Sequence, residues 1–92
     1  MILVLAGTAD GRKLAANIQA AGYPVLVSTA TDYGGTLVEG IPVRSGILDQ
    51  AGFQDLFEGE NIRLVVDASH PYATNVSRTV MSACREVRIP YL

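Results

Sequence analysis

The sequence predicts an α/β fold built on a parallel sheet, and three observations predict it. Short apolar, β-branched runs alternate along the chain with stretches whose apolar residues return at helical spacing. The apolar runs are continuous rather than alternating with polar residues, as strands covered on both faces require. No internal repeat or low-complexity linker breaks the pattern, so the 92 residues are expected to form one domain. Together these give a Rossmann-like parallel sheet of four to five strands with helices on both faces, in the expected order 3-2-1-4-5.

Each element follows from its own residues. Residues 2–6 (ILVLA) form the first strand. From Gly11 to Ala21 the apolar Leu14, Ala15, Ile18 and Ala21 predict a helix that Gly22 stops. Pro24 to Ala30 is a second strand, and Asp32 to Val38 a short helix or loop broken by Gly34-Gly35. Ile41 to Arg44 predicts a third strand. Asp49 is placed to cap a helix in which Phe53, Leu56 and Phe57 face inward and which Gly59 ends. Arg63 to Asp67 is a fourth strand. A long helix follows Ser69-His70-Pro71, with Pro71 at its first position and Ala73, Val76, Val80, Ala83, Cys84 and Val87 on its apolar face. Arg88 to Leu92 reads as the entry to another parallel strand, which marks the chain as part of something longer.

Composition excludes several classes of function. An apolar fraction of 49% against 17% charged residues is that of a well-buried globular chain. A net charge of -2 without a basic cluster argues against nucleic acid, whose binding rests on Lys and Arg. The apolar start lacks a basic leader and is too short to span a membrane, so no membrane role is expected. One cysteine and one histidine leave no basis for a disulfide framework or an all-protein metal site, and fit a cytoplasmic location.

Ligands of open parallel sheets bind outside the carboxyl ends of the strands, where the strand order reverses. Three polar, hydroxyl-rich segments fall there, whereas the turns at the other ends are plain helix stops. In the first, Gly7, Thr8, Ala9, Asp10, Gly11 and Arg12 join a strand to a helix start whose amides attract a phosphate. This is neither G-x-G-x-x-G nor a P-loop, and on spacing alone a tight structural turn is an equal explanation. In the second, Ser28, Thr29, Ala30 and Thr31 stand where an NAD site carries a carboxylate about 20 residues after the glycines. Hydroxyls there, with Arg12 as the nearest cation, favour the extra phosphate of NADPH. Asp32 just beyond weighs the other way. In the third, Asp67, Ser69, His70, Pro71 and Tyr72 gather an acid, a hydroxyl, an imidazole and a phenol at one helix start. A receiver-domain reading of Asp67 fails, because the first strand is followed by Gly7-Thr8 rather than an acidic pair, and no lysine follows Lys13.

At these segments the chain resembles the precorrin-6A and cobalt-precorrin-6A reductase family of cobalamin biosynthesis. The matching stretches are LAGTADGRKLA (5–15), VSTATDYGGTLV (27–38) and VVDASHPYATNVSRTVMSACREVRIPYL (65–92), the third being the most specific. Members commonly carry Gly at the position of Ala6 and Thr at that of Ser69. The resemblance implies an NADPH-dependent oxidoreductase delivering hydride to a tetrapyrrole (corrinoid) macrocycle, with or without cobalt. Residues 7–12 would meet the cofactor phosphates and 28–31 the adenosine ribose. Asp67, Ser69, His70, Pro71, Tyr72 and Ser77 would lie near nicotinamide and substrate. His70, with an ordinary pKa of ~6.5, is the candidate proton donor, or the anchor of a peripheral carboxylate. Family chains are longer and have a second lobe over the cofactor cleft. Residues 1–92 therefore read as an NADP-binding N-terminal domain, with little or no turnover expected without the C-terminal lobe. The alternative is a non-catalytic nucleotide- or phosphate-binding module.

Overall fold

The computed structural model describes residues 1–7, 9–30, 40–69 and 74–92. Within them lie four parallel strands and three helices. In chain order these are β1 (Ile2–Ala6), α1 (Ala9–Ala20), β2 (Val25–Thr29), β3 (Val43–Ser45), α2 (Gln50–Gly59), β4 (Leu64–Ala68) and α3 (Thr74–Val87). The sheet order is β3-β2-β1-β4. Residues 90–92 extend it past β4: Val65 and Tyr91 form a parallel bridge, Val65 N–H donates to Pro90 O, and Asp67 N–H donates to Leu92 O. The order 3-2-1-4, with a fifth segment beyond β4, is the predicted one.

Strand alternation sorts the core into two layers. Leu3, Leu5, Leu26 and Val65 face Phe53 and Phe57 of α2 and Val80, Ala83 and Cys84 of α3. Val4, Ala6, Val25 and Val27 face Ala15 of α1, together with Ile41. Both faces are thus covered, which explains the continuous apolar runs. The chain covers one face while it runs β1 to β2, then crosses to the other face on returning to β4. The strand order therefore reverses between β1 and β4.

Several boundaries depart from expectation. β3 begins at Val43, not Ile41, because Pro42 has no N–H for the ladder; its carbonyl still accepts from Val27 N–H at 3.0 Å. Helix α1 starts two residues early, at Ala9, and Ala21 lies exposed beyond its end, with Gly22 taking the left-handed φ of 98°. Asp49 caps α2 as expected, its Oδ1 accepting from Gly52 N–H at 2.7 Å. Gly59 is the last helical residue, but the left-handed turn falls on Asn61, whose short polar side chain tolerates it. Arg88 takes the same conformation after α3, so the strand entry begins at residue 90 rather than 88. Val87 is 43% exposed and falls off the apolar face of α3. The readings of Pro71 as a helix start, of Ala73 as a core position and of Asp32 to Val38 as helix or loop lie outside the described residues.

Two glycines in helices make opposite predictions. A Cβ on Gly11 would sit 3.0 Å from Ala6 Cβ, 3.1 Å from Ala6 Cα and 3.2 Å from Ala68 O, two of which are main-chain atoms. Overcrowding there outweighs the gain in helix propensity, so Gly11→Ala should lower stability by about 1 kcal/mol in urea unfolding, and Gly11→Val by more. Gly59 has nothing within 4 Å of such a Cβ, and Gly59→Ala should raise stability by about 0.5–1 kcal/mol.

Candidate functional site

The parallel register sends β1, β2, β3 and β4 to one common edge, where the first turn of α1 also begins. Gly11 decides how close that turn lies. Its main chain rests on Ala6, the last residue of β1, and on Ala68, the last of β4. The helix start is therefore seated over the point of strand reversal, with its free amides at the carboxyl edge. Asp10 stands exposed in this first turn and Arg12, at its end, is half-buried. Thr8 lies outside the described residues, as does the side chain of Ala9.

Beside it, β2 ends in Ser28 and Thr29, the two buried polar residues among those described. Their hydroxyls are tied to β3. Arg44 Nη1 donates to Ser28 Oγ at 2.9 Å, and Thr29 Oγ1 donates to Ser45 Oγ at 3.2 Å. Arg44 also donates from Nη1 to Gly46 O at 2.9 Å and from Nη2 to Ser45 O at 2.7 Å. Ala30 follows, exposed, at the bend after β2; Thr31 lies outside the described residues. Arg44 was not among the residues singled out from the sequence. No sequence signal marked it, since its position opposite Ser28 depends on the register of β3 against β2.

The third segment is organised around one carboxylate. Asp67 Oδ1 accepts from Ser69 N–H at 3.0 Å and from Ser69 Oγ at 2.5 Å. Its Oδ2 accepts from Ser77 Oγ at 2.6 Å and from the Tyr91 hydroxyl. Four donors fill the acceptor positions a carboxylate offers. Asp67, Ser69 and Ser77 are thus brought together as the sequence grouped them, but they bind one another. Their bonds leave Asp67 a braced group rather than one with open lone pairs. Tyr91 completes the network from the far end of the chain. The local half of the network had a sequence signal, an Asp with Ser two residues on that fixes the carboxylate through a turn; Tyr91 had none. His70, Pro71 and Tyr72 lie outside the described residues.

The network shifts its own titrations. Burial pushes the Asp67 carboxyl upward, but the bonds from Ser69, Ser77 and Tyr91 outweigh it and hold the group below its ordinary range. Burial, then the hydrogen bond and charge of Asp67, push the Tyr91 phenol up to about 12. Burial alone pushes the Cys84 thiol to about 11, which leaves it an inert core residue. A surface hollow of about 410 Å³ between α2 and α3, lined by Phe57, Glu58, Val87 and Ile89 among others, opens at the opposite edge of the sheet. It has no part in this site.

The family model described as Precorrin-6x reductase CbiJ/CobK matches residues 1–92. The chain belongs to that family. It is 36% identical to the cobalt-precorrin-6A reductase of Priestia megaterium over 94 residues, covering 100% of this chain and 37% of that protein. It is 30% identical to the precorrin-6A reductase of Rhodobacter capsulatus, covering 96% of this chain and 36% of the relative. Among solved structures, the CobK precorrin-6A reductase superposes with a TM-score of 0.87 at 30% identity, over 98% of this chain and 36% of that one. The chain therefore spans a little over a third of the length of these oxidoreductases. Among the described residues, no helix is long and apolar enough to cross a membrane.

The Asp67 network predicts two pH limbs. Tyr91 has a raised folded pKa, so its contribution is complete below the ordinary 10.0 and is lost as pH climbs toward about 12. Asp67 has a lowered one, so its contribution is present above 3.8 and is lost as pH falls below that value. Thermal melts followed by circular dichroism should show both declines. Tyr91→Phe should remove the alkaline decline attributable to this residue and cost about 1–2 kcal/mol at neutral pH. A Tyr91→Phe protein as stable as the parent at pH 7 would show that the bond contributes nothing.

Proposed function

We propose that the chain is the N-terminal, NADP-binding domain of a cytoplasmic, NADPH-dependent reductase in cobalamin biosynthesis. Its substrate is a corrinoid macrocycle, precorrin-6A or the cobalt complex, taken to the 6B dihydro form. Family membership supports the reaction class. The observation that carries the cofactor reading is the seat of α1, whose first turn is drawn over the strand reversal by the Gly11 contact with Ala6 and Ala68. A side chain at position 11 would lift that turn away. As it stands, main-chain amides and a helix N-terminus face the space where a diphosphate fits.

In this reading Gly7, Thr8, Ala9, Asp10, Gly11 and Arg12 surround the diphosphate, and Ser28 to Thr31 lie along the adenosine ribose. Ser28 and Thr29 suit NADPH because they place buried hydroxyls, not a carboxylate, at the end of β2. NADPH would supply the hydride; the protein supplies orientation and electrostatics. Asp67, Ser69 and Ser77 hold the wall on which nicotinamide and macrocycle rest. His70, with Pro71 and Tyr72 beside it, stands at the start of α3 in sequence. There it delivers the proton that must follow hydride addition, or binds an acetate or propionate arm. The remainder of the reductase closes the cleft, and the 92-residue chain alone turns over little or no substrate.

Calorimetric titration of the chain with NADPH and with NADH tests the cofactor assignment. NADPH should bind about tenfold or more tightly, the effect of charge-assisted hydrogen bonds to one added phosphate. Equal affinities would favour the alternative, a nucleotide- or phosphate-binding module without redox chemistry. In the complete reductase, His70→Ala should lower kcat if His70 is the proton donor and raise KM if it binds a substrate arm. Unchanged kcat and KM would remove both roles.

A further inference from the structure

We infer that Arg44, presented by the edge strand β3, is the residue that recognises the 2′-phosphate of the dinucleotide and so sets the preference for NADPH over NADH. This rests on the cofactor reading above and assigns the specificity to a residue outside the three polar segments.

The placement is the first ground. Gly11 pins the opening turn of α1 over β1 and β4, on the side of the sheet away from β3. A diphosphate at that turn runs its adenosine toward β2, the next strand over. Adjacent strands are about 4.8 Å apart, so β3 lies roughly 10 Å from β1, within the reach of one nucleotide. Arg12 shares the turn of Gly11 and stays over the diphosphate. Arg44 stands where the ribose 2′ position falls.

Donor chemistry is the second ground. A guanidinium has five N–H donors. Three are engaged, to Ser28 Oγ, Gly46 O and Ser45 O, which leaves two and fixes the plane of the group. All three acceptors are neutral, and among the described residues Arg44 makes no ion pair. Its positive charge is thus held in place with no carboxylate bonded to it among the described residues. Two planar donors on a fixed cation match two oxygens of a phosphate monoester.

The hydroxyl beside it adds to the match. Ser28 Oγ accepts from Arg44 and so retains its own proton for an incoming oxygen. A buried Ser28 that receives the guanidinium also fixes the side chain before any ligand arrives, and little ordering remains to oppose binding.

Titration of the chain and of the variants Arg44→Ala, Arg44→Lys and Arg12→Ala with NADP+ and NAD+ decides the matter. The parent should bind NADP+ about tenfold or more tightly than NAD+. Arg44→Ala should abolish that ratio by weakening NADP+ while leaving NAD+ within about twofold, so retained NAD+ binding reports an intact fold. Arg44→Lys, which keeps the charge but not the planar fork, should restore part of the ratio. Arg12→Ala should weaken both ligands alike. A ratio that survives Arg44→Ala and disappears in Arg12→Ala would overturn the role of Arg44 and leave the cofactor reading standing. No preference in the parent, or no binding of either ligand, would overturn both.

Discussion

The carboxyl edge of this domain depends on how closely α1 is seated against the ends of β1 and β4. That closeness is a steric matter settled at one residue. Because Gly11 has no side chain, the helix lies where even a Cβ would crowd the Ala6 main chain and the Ala68 carbonyl. Ala6 and Ala68 are themselves small, so three positions from distant parts of the chain cooperate in one contact. The helix amides then open onto the edge at the reversal of strand order instead of being lifted out of it.

A second constraint braces the same edge from the other side. The Asp67 carboxylate draws together the end of β4, the first turns of α3 and the segment carrying Tyr91. A partly buried carboxylate needs donors, and this one has four, which is why its proton affinity falls despite burial. The result is a brace joining three parts of the chain. Ser77, one of the residues that the family pattern singles out, acts here through Asp67. Residues that look like catalytic machinery in one dimension thus serve partly as scaffolding, and they place the start of α3 for whatever chemistry occurs beside it.

Charge at the edge is divided between strands. The helix start contributes a partial positive charge at β1, and Arg44 a full one at β3, with hydroxyls between them on β2. The opposite edge carries ordinary helix stops and an open hollow flanked by Glu58, where an anion would find no such arrangement.

The sequence by itself determined the class of fold, the order of the strands and the three segments that meet at the carboxyl edge. Those features follow from local signals: continuous apolar runs, helical spacing, glycine stops and the Asp49 cap act over a few residues and are legible without coordinates. Only the tertiary structure decided which groups touch. The bond from Arg44 to Ser28 depends on the register of β2 against β3, in which residues sixteen apart come level. The bond from Tyr91 to Asp67 joins side chains twenty-four residues apart and depends on the pairing of Tyr91 with Val65 of β4. Where β3 begins turned on a proline that lacks a ladder donor, and whether Asp67 faces a ligand or its own chain turned on donors brought from two other elements. Periodicity records which face a residue occupies, but hydrogen-bond partners across a sheet are fixed by register, and register belongs to the folded chain.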